Sequence, residues 1–429
     1  MTILPASSRP RVVITGLGVI SPLGLTLADF WGGLTAGRSG LTRITQFDAS
    51  ALPCQIAGEV KGFEPKRYMD VKDARRMARC SQMAVATARE AVADAGFAAG
   101  FPDPERVGVL LGTAVGGLDK TDEGATVLRT QGFGRVSPFS VPESAPNMPA
   151  HHVSKAFQAL GPLTTCVTAC ASGTQAVGEA AEMIRRGAAD VMITGGVEAA
   201  ITDLAIGGFA AMRAMPIHYN DAPERSSRPF DKDREGFVFS EGCAILILER
   251  LEHALARGAR LYAEVLGHAS SSDAYHVAAP DPSGAGAIRA MRWAMQAAGV
   301  EPTEIDYINA HGSSTPLNDA GETLAIKRVF GEHAYNLPIS STKSMIGHPM
   351  GASGALEAVA CALTIHHGVI HPTINYETPD PECDLDYVPN VARPAPVRTT
   401  LSNSFGLGGQ NACLVLRRYE PANGHPAGG

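Results

Sequence analysis

Across its 429 residues the chain alternates short β-branched runs that end in glycine with alanine-rich amphipathic segments. That alternation predicts an α/β protein in which strands are flanked by helices. Residues 12–14, 107–111 and 191–194 read as strands in the first half, and 305–309, 339–341 and 413–416 in the second. Residues 82–95, 175–186, 286–298 and 355–367 carry the strongest helical periodicity. A charged helical segment, LEHALARGAR, runs into a fresh strand, LYAEVLG, which predicts a boundary between halves 1–255 and 256–429 with similar element order. Residues 116–149, rich in glycine and proline, show little strand pattern and read as an inserted, surface-forming region.

A hydrophobic content of 45% suits a packed globular enzyme. The net charge of -7 and a pI near 6.0 argue against a general nucleic-acid or membrane-surface binder, although a local basic patch can still meet an acidic partner. Met1 to Arg11 lack a secretory apolar run, and no later stretch is long enough to span a bilayer, so a cytoplasmic location is expected.

Eight cysteines are scattered without zinc-ribbon spacing or the density of a disulfide scaffold, and free thiols in a core are the ordinary reading. Cys170 has a local argument of its own. In LTTCVTACASG an apparently buried strand precedes it, and Ala171, Ser172 and Gly173 open a helix. At a helix N-terminus unpaired N–H groups and the helix dipole favour an anion, which lowers a thiol from about 8.5 toward neutrality. A nucleophile and a core cysteine capping a helix both fit this segment, whereas Cys166 reads as core.

In DYINAHGSST a strand ends at His311, and in SSTKSMIGHPMGASGALE Lys343 and His348 lie between a strand and a helix that contains Glu357. Catalytic groups in α/β sheets collect beyond such strand ends. The third strand end, SNSFGLGGQNACLVL, has glycines that let backbone N–H groups approach a ligand, as in an oxyanion hole, and it also fits a plain hairpin bend. A zinc site of Cys170, His311 and His348 is disfavoured because no HExxH or CxxC pair is present and Lys343 would place a cation beside the metal. The adjacent pairs His151–His152 and His366–His367 point apart on a helix and suit surface or core positions.

Taken together, TACASG, NAHGSST, STKSMIGH and NSFGLGG resemble the elongating β-ketoacyl-acyl carrier protein synthases, synthase II type. VVITGLGVISPLG, SSRPFDKDREGF and SSDAYH extend the resemblance over nearly the whole chain. It implies a thiolase-type fold, two related α/β halves in five α-β-α-β-α layers, usually as a homodimer. It also implies a decarboxylating condensation in fatty acid elongation. A polyketide ketosynthase is the alternative, followed by a thiolase acting on coenzyme A esters or a non-catalytic chain-length-factor subunit, against which the retained Cys170 speaks. By the resemblance Cys170 takes the acyl chain, and its N–H and that of Leu407 hold the oxyanion. His311 and His348 serve the malonyl thioester. Lys343 orders the site through Glu322 and Glu357, and Phe405 is retained.

Ser313 and Thr315 match contacts to the phosphopantetheine arm, with Ser313 replacing the usual threonine. Val115 and Phe209 match acyl-pocket positions. Lys72, Arg75, Arg76, Arg79, Arg135 and Arg213 fall where the family docks acidic acyl carrier protein, although charge runs also serve plain solubility. No metal and no cofactor are implied, since phosphopantetheine arrives on the carrier. One departure is Leu407, which stands where the family usually carries a gating phenylalanine and leaves open how the acyl pocket closes.

Overall fold

The computed structural model describes residues 9–421, so Met1 to Ser8 of the N-terminal segment lie outside the described residues. Ten strands form one sheet: β1 (Val12–Ile20), β2 (Val107–Gly112), β3 (Leu163–Cys166), β4 (Val191–Glu198), β5 (Gly242–Arg250), β6 (Ala263–Ser272), β7 (Tyr307–Asn309), β8 (Ile339–Ser340), β9 (Thr399–Gly406) and β10 (Gln410–Arg417). Their order is β8-β7-β9-β10-β6-β1-β5-β4-β2-β3. Read inward from each edge, the first five strands run β3-β2-β4-β5-β1 and the last five β8-β7-β9-β10-β6. Directions repeat as well. β2 is parallel to β3 and β4, as β7 is to β8 and β9, and the remaining pairs within each half are antiparallel. The halves meet where Val13 and Ile14 of β1 pair with Glu264 and Ala263 of β6.

Six of the helices form the layers: α1 (Arg79–Asp94), α2 (Met148–Phe157), α3 (Ser172–Arg185), α4 (Ala285–Ala298), α5 (Pro316–Phe330) and α6 (Ser353–His367). α1 and α2 cover the outer face of the first half-sheet, and α4 with α5 covers that of the second. α3 and α6 lie between the half-sheets and touch both. The central position accounts for the composition of α6, which is buried all round from Ser353 to Ile365 and carries few polar side chains. The result is the expected five-layer α-β-α-β-α arrangement.

One expectation is corrected. The strand before Cys170 is not buried: β3 is an edge strand, and Leu163, Thr164 and the following Val167 are exposed. Its apolar pattern serves the edge of the sheet and not the interior of this chain. The stretch 116–149 shows no strand among its described residues and lies largely at the surface, as expected, and it carries helices at Leu118–Gln131 and Ser140–Ser144.

The central helices approach closely because small residues face each other. A Cβ added at Gly173 would lie 2.7 Å from Ala355 N and 2.9 Å from Gly351 O, both backbone atoms. Gly173→Ala should therefore lower stability by about 1–3 kcal/mol. Urea unfolding checks this, and an unchanged midpoint would contradict so tight a contact.

Candidate active site

Cys170 occupies a single 3-10 turn, Ala169–Ala171, between β3 and α3. Ala169 holds φ +50, a left-handed conformation that costs an L-residue about 1 kcal/mol. The bend turns the buried Cys170 side chain into a cavity of about 420 Å³ that it shares with His311, His348, Phe405 and Leu407. His348 Nε2 lies 3.1 Å from Cys170 Sγ, and His348 Nδ1 lies 2.8 Å from Ser353 Oγ. The rings of His311 and His348 meet edge to face with centroids 5.4 Å apart.

The carrier strands fix these positions. β7 delivers His311, whose backbone N–H donates to Glu322 Oε1 at 2.9 Å, while Gly312 N donates to Oε2 at 2.8 Å. Asn403 of β9 donates to Glu322 at 3.1 Å. Lys343, just after β8, donates from Nζ to the carbonyl of His311 at 2.7 Å and pairs with Glu357 of α6. The sequence-based pairing of Lys343 with both carboxylates is thus half corrected: Glu357 is its partner, whereas Glu322 holds the backbone turn at His311. Lys343 and Glu357 are both buried, so removing either leaves an uncompensated charge.

Burial governs the electrostatics. It pushes the Cys170 thiol up to about 11, with the Leu407 N–H and the Lys343 charge pulling the other way. The downward shift expected from the helix N-terminus is therefore outweighed in the empty cavity. Burial, then the positive charge of Lys343, holds His311 and His348 well below the usual histidine range. Both rings are neutral at pH 7. Burial also raises Glu322 to about 7 and raises Glu357.

The turn after β9 lies against the cysteine. A Cβ at Gly406 would lie 3.2 Å from Cys170 N, and the N–H groups of Leu407 and Cys170 both reach the thiol sulfur. Gly408 and Gly409 hold φ +80 and +70, Gly408 N donates to Val277 O at 2.9 Å, and Asp273 N donates to Gly409 O at 2.8 Å. The N–H groups of Cys170 and Leu407 form a donor pair suited to an oxyanion.

Ser313 and Thr315 line the same cavity, with their hydroxyl oxygens 2.9 Å apart. Val115 and Phe209 are not in it. They line a neighbouring apolar cleft of about 290 Å³, which shares Met212 and Met350 with the first cavity. Lys72, Arg75, Arg76, Arg135 and Arg213 are exposed, and Arg213 sits at the cavity. Arg76 lies over the Phe139 ring at 4.9 Å. Arg79 is corrected: it is half-buried and its guanidinium is tied to the fully buried Glu241 at 2.7 Å, so its charge is already paired within the chain. Sequence reasoning missed Ser353 and Asn403, although both lie inside the segments that carry His348 and Phe405. Among the described residues no group of three or more His, Cys, Asp and Glu side chains converges as a metal site.

Comparison with known proteins agrees with this geometry. Residues 9–254 match the β-ketoacyl synthase N-terminal domain and 262–377 its C-terminal domain. The chain is 50% identical over 412 residues to the 3-oxoacyl-[acyl-carrier-protein] synthase 2 of Synechocystis sp., covering 96% of this chain and 99% of that protein. It is 49% identical over 410 residues to the protein of that name from Coxiella burnetii, with the same coverage. Among solved structures, the ishigamide ketosynthase/chain length factor superposes with a TM-score of 0.90 at 40% identity, covering 96% of this chain and 100% of that one. A type II polyketide acyl-carrier protein in complex with its ketosynthase gives 0.88 at 36% identity, again covering 96% and 100%. The Cys170 turn and the paired histidines lie within matches over nearly the full length, and the chain belongs to the β-ketoacyl synthase family.

Proposed function

We propose that the chain is a 3-oxoacyl-acyl carrier protein synthase of fatty acid elongation, which condenses an enzyme-bound acyl group with malonyl-acyl carrier protein. The 3.1 Å contact between Cys170 and His348, with neutral His311 beside it, carries this reading. The stronger likeness to synthase 2 proteins, at 49–50% identity against 36–40% for the polyketide structures, favours elongation over polyketide assembly.

In acyl transfer, Cys170 Sγ attacks the acyl thioester carbonyl while His348 Nε2 takes the thiol proton and returns it to the departing carrier thiolate. The oxyanion rests on the N–H groups of Cys170 and Leu407. Malonyl thioester then places its carbonyl oxygen between His311 and His348. The carboxylate C–C bond breaks, carbon dioxide leaves, and the electron pair becomes an enolate held by the Nε2–H groups. The enolate carbon attacks the Cys170 thioester, the thiolate is expelled and takes up from solvent the one proton that the decarboxylation consumes, and the β-ketoacyl carrier departs. His348 must therefore accept at Nε2 in one step and donate in the next. The Ser353 hydroxyl at Nδ1 both donates and accepts, so it allows either tautomer. Lys343 supports the site and moves no proton.

Ser313 and Thr315 would contact the phosphopantetheine arm, and the Val115–Phe209 cleft would take the acyl chain. Leu407 guards the passage with a smaller side chain than phenylalanine. The exposed basic residues other than Arg79 would dock an acidic carrier protein. No cofactor is required. The unpaired edge of β3, with Leu160, Leu163 and Val167 exposed, supports a homodimer of two such halves joined along that edge. No helix among the described residues is long and apolar enough to cross a membrane, and we place the enzyme in the cytoplasm.

Cys170→Ala should abolish acyl-enzyme formation and spare malonyl decarboxylation, while His311→Ala or His348→Ala should cut decarboxylation by ~10²–10³-fold. Intact-protein mass spectrometry and carbon dioxide release separate the two, and loss of both together in Cys170→Ala would contradict the division of labour. Because the thiol is raised, iodoacetamide modification of Cys170 in the free enzyme should climb about tenfold per pH unit from pH 7 to 9. A plateau already at pH 7 would show a preformed thiolate. Arg75→Glu and Arg76→Glu should weaken carrier binding more at low salt than at high salt, and unchanged affinity by calorimetry would return these residues to an ordinary solvated face.

A further inference from the structure

Glu198 ends β4 fully buried, and four donors reach its carboxylate, none of them a cation. Oε2 accepts from Ala114 N at 2.7 Å and from Gly351 N at 3.0 Å. Oε1 accepts from Thr113 Oγ1 at 3.0 Å and from Val115 N at 3.4 Å. One side chain therefore fastens residues 113–115 to residue 351, more than two hundred positions away in sequence. Such a carboxylate is expensive to bury, and burial pushes its acid up to about 7 while the four donors pull it back. A packed apolar residue would fill the same space without that cost, so the position calls for a role in geometry.

The two fastened segments present Val115 and Met350, which line the same apolar cleft. They approach so closely that a Cβ at Gly351 would lie 2.3 Å from Ala114 N. Met350 itself holds φ +37, a conformation that an unclamped methionine would leave. The clamp also reaches the nucleophile. The Ser172 hydroxyl lies 3.1 Å from Thr113 O and accepts from Thr168 N at 2.8 Å, so it joins the Cys170 turn to the same wall.

We propose that Glu198 is a positioning residue that sets the gap between Val115 and Met350, and thereby the length of acyl chain the cysteine can take. This rests on the reading of the Val115–Phe209 cleft as the acyl site. A carboxylate presents acceptors on both oxygens, whereas the amide of Glu198→Gln must turn an NH2 group toward backbone N–H donors on one side. With the amide oxygen kept toward Ala114 N and Gly351 N, the NH2 faces Val115 N, so Val115 loses its bond to the clamp and its side of the gap shifts. A short acyl group stays near Cys170 and is spared, but a long one has to pass.

The test compares thioester formation on Cys170 from four-carbon and twelve-carbon acyl-acyl carrier proteins, followed by intact-protein mass spectrometry in the full-length enzyme. In Glu198→Gln the twelve-carbon rate should fall at least tenfold more than the four-carbon rate. Thr113→Val removes one donor, should give the same bias in smaller size, and keeps the test open if the glutamine variant does not fold. Equal loss for both chains, no loss, or a bias against the short chain would overturn the assignment. A wild-type enzyme that forms no thioester with either chain would overturn the proposed function and this inference with it, an outcome distinct from a wild-type enzyme acylated normally beside an unbiased variant.

Discussion

The removal of water from Cys170, His311 and His348 is the constraint on which the rest of the site depends. In water a histidine would be partly protonated near neutrality; here burial and the Lys343 charge keep both rings neutral. Neutral rings can donate N–H to a developing enolate without holding a malonyl carboxylate as an ion pair, which would resist its departure. The same desolvation raises the thiol, so in the proposed reaction the cysteine starts protonated and needs its neighbour at 3.1 Å. The buried polar groups that make this environment are held by Glu322 and Glu357, each with partners supplied by another element.

The duplicated sheet explains why these groups meet. Three equivalent strand ends point into the centre from each half. In the second half, β7 leads to His311, β8 to Lys343 and His348, and β9 to the Leu407 turn. In the first half, β2 leads to the wall at Val115, β3 to Cys170, and β4 ends at Glu198. In the proposed reaction one half presents the nucleophile and the acyl wall, and the other presents the enolate-binding pair and an oxyanion donor. The two central helices, packed through small residues, set the distance between them.

Much of this was legible in the chain. The strand cores at 107–111 and 191–194 fall inside observed strands, and all four expected helices match observed ones, with 82–95 and 175–186 each running one residue past the end, because glycine-terminated β-branched runs and alanine periodicity are local signals. Cys170, His311 and His348 sit at strand ends that local pattern exposes. What escaped depends on contacts distant in sequence. Arg79 read as one more charge on a basic face, yet it is half-buried and paired with the buried Glu241, 162 positions on. Glu322 lies in a helix near His311 and was matched to Lys343, although its oxygens face backbone N–H groups that no sequence pattern displays. β3 looks like a core strand because its apolar residues belong to an edge, and an edge and a centre share the same period.

The charge state of the two histidines is the point on which the mechanism turns, and it can be observed directly. With histidines labelled in ¹⁵N, the ring signals of His311 and His348, assigned by loss in His311→Ala and His348→Ala, can be followed from pH 5.5 to 8.5 in the unliganded enzyme. The expected result is neutral-imidazole shifts for both rings across pH 6–8, beside exposed histidines that titrate normally. A titration of either ring with its midpoint near 6.5 would contradict the claim that burial sets the chemistry of this site.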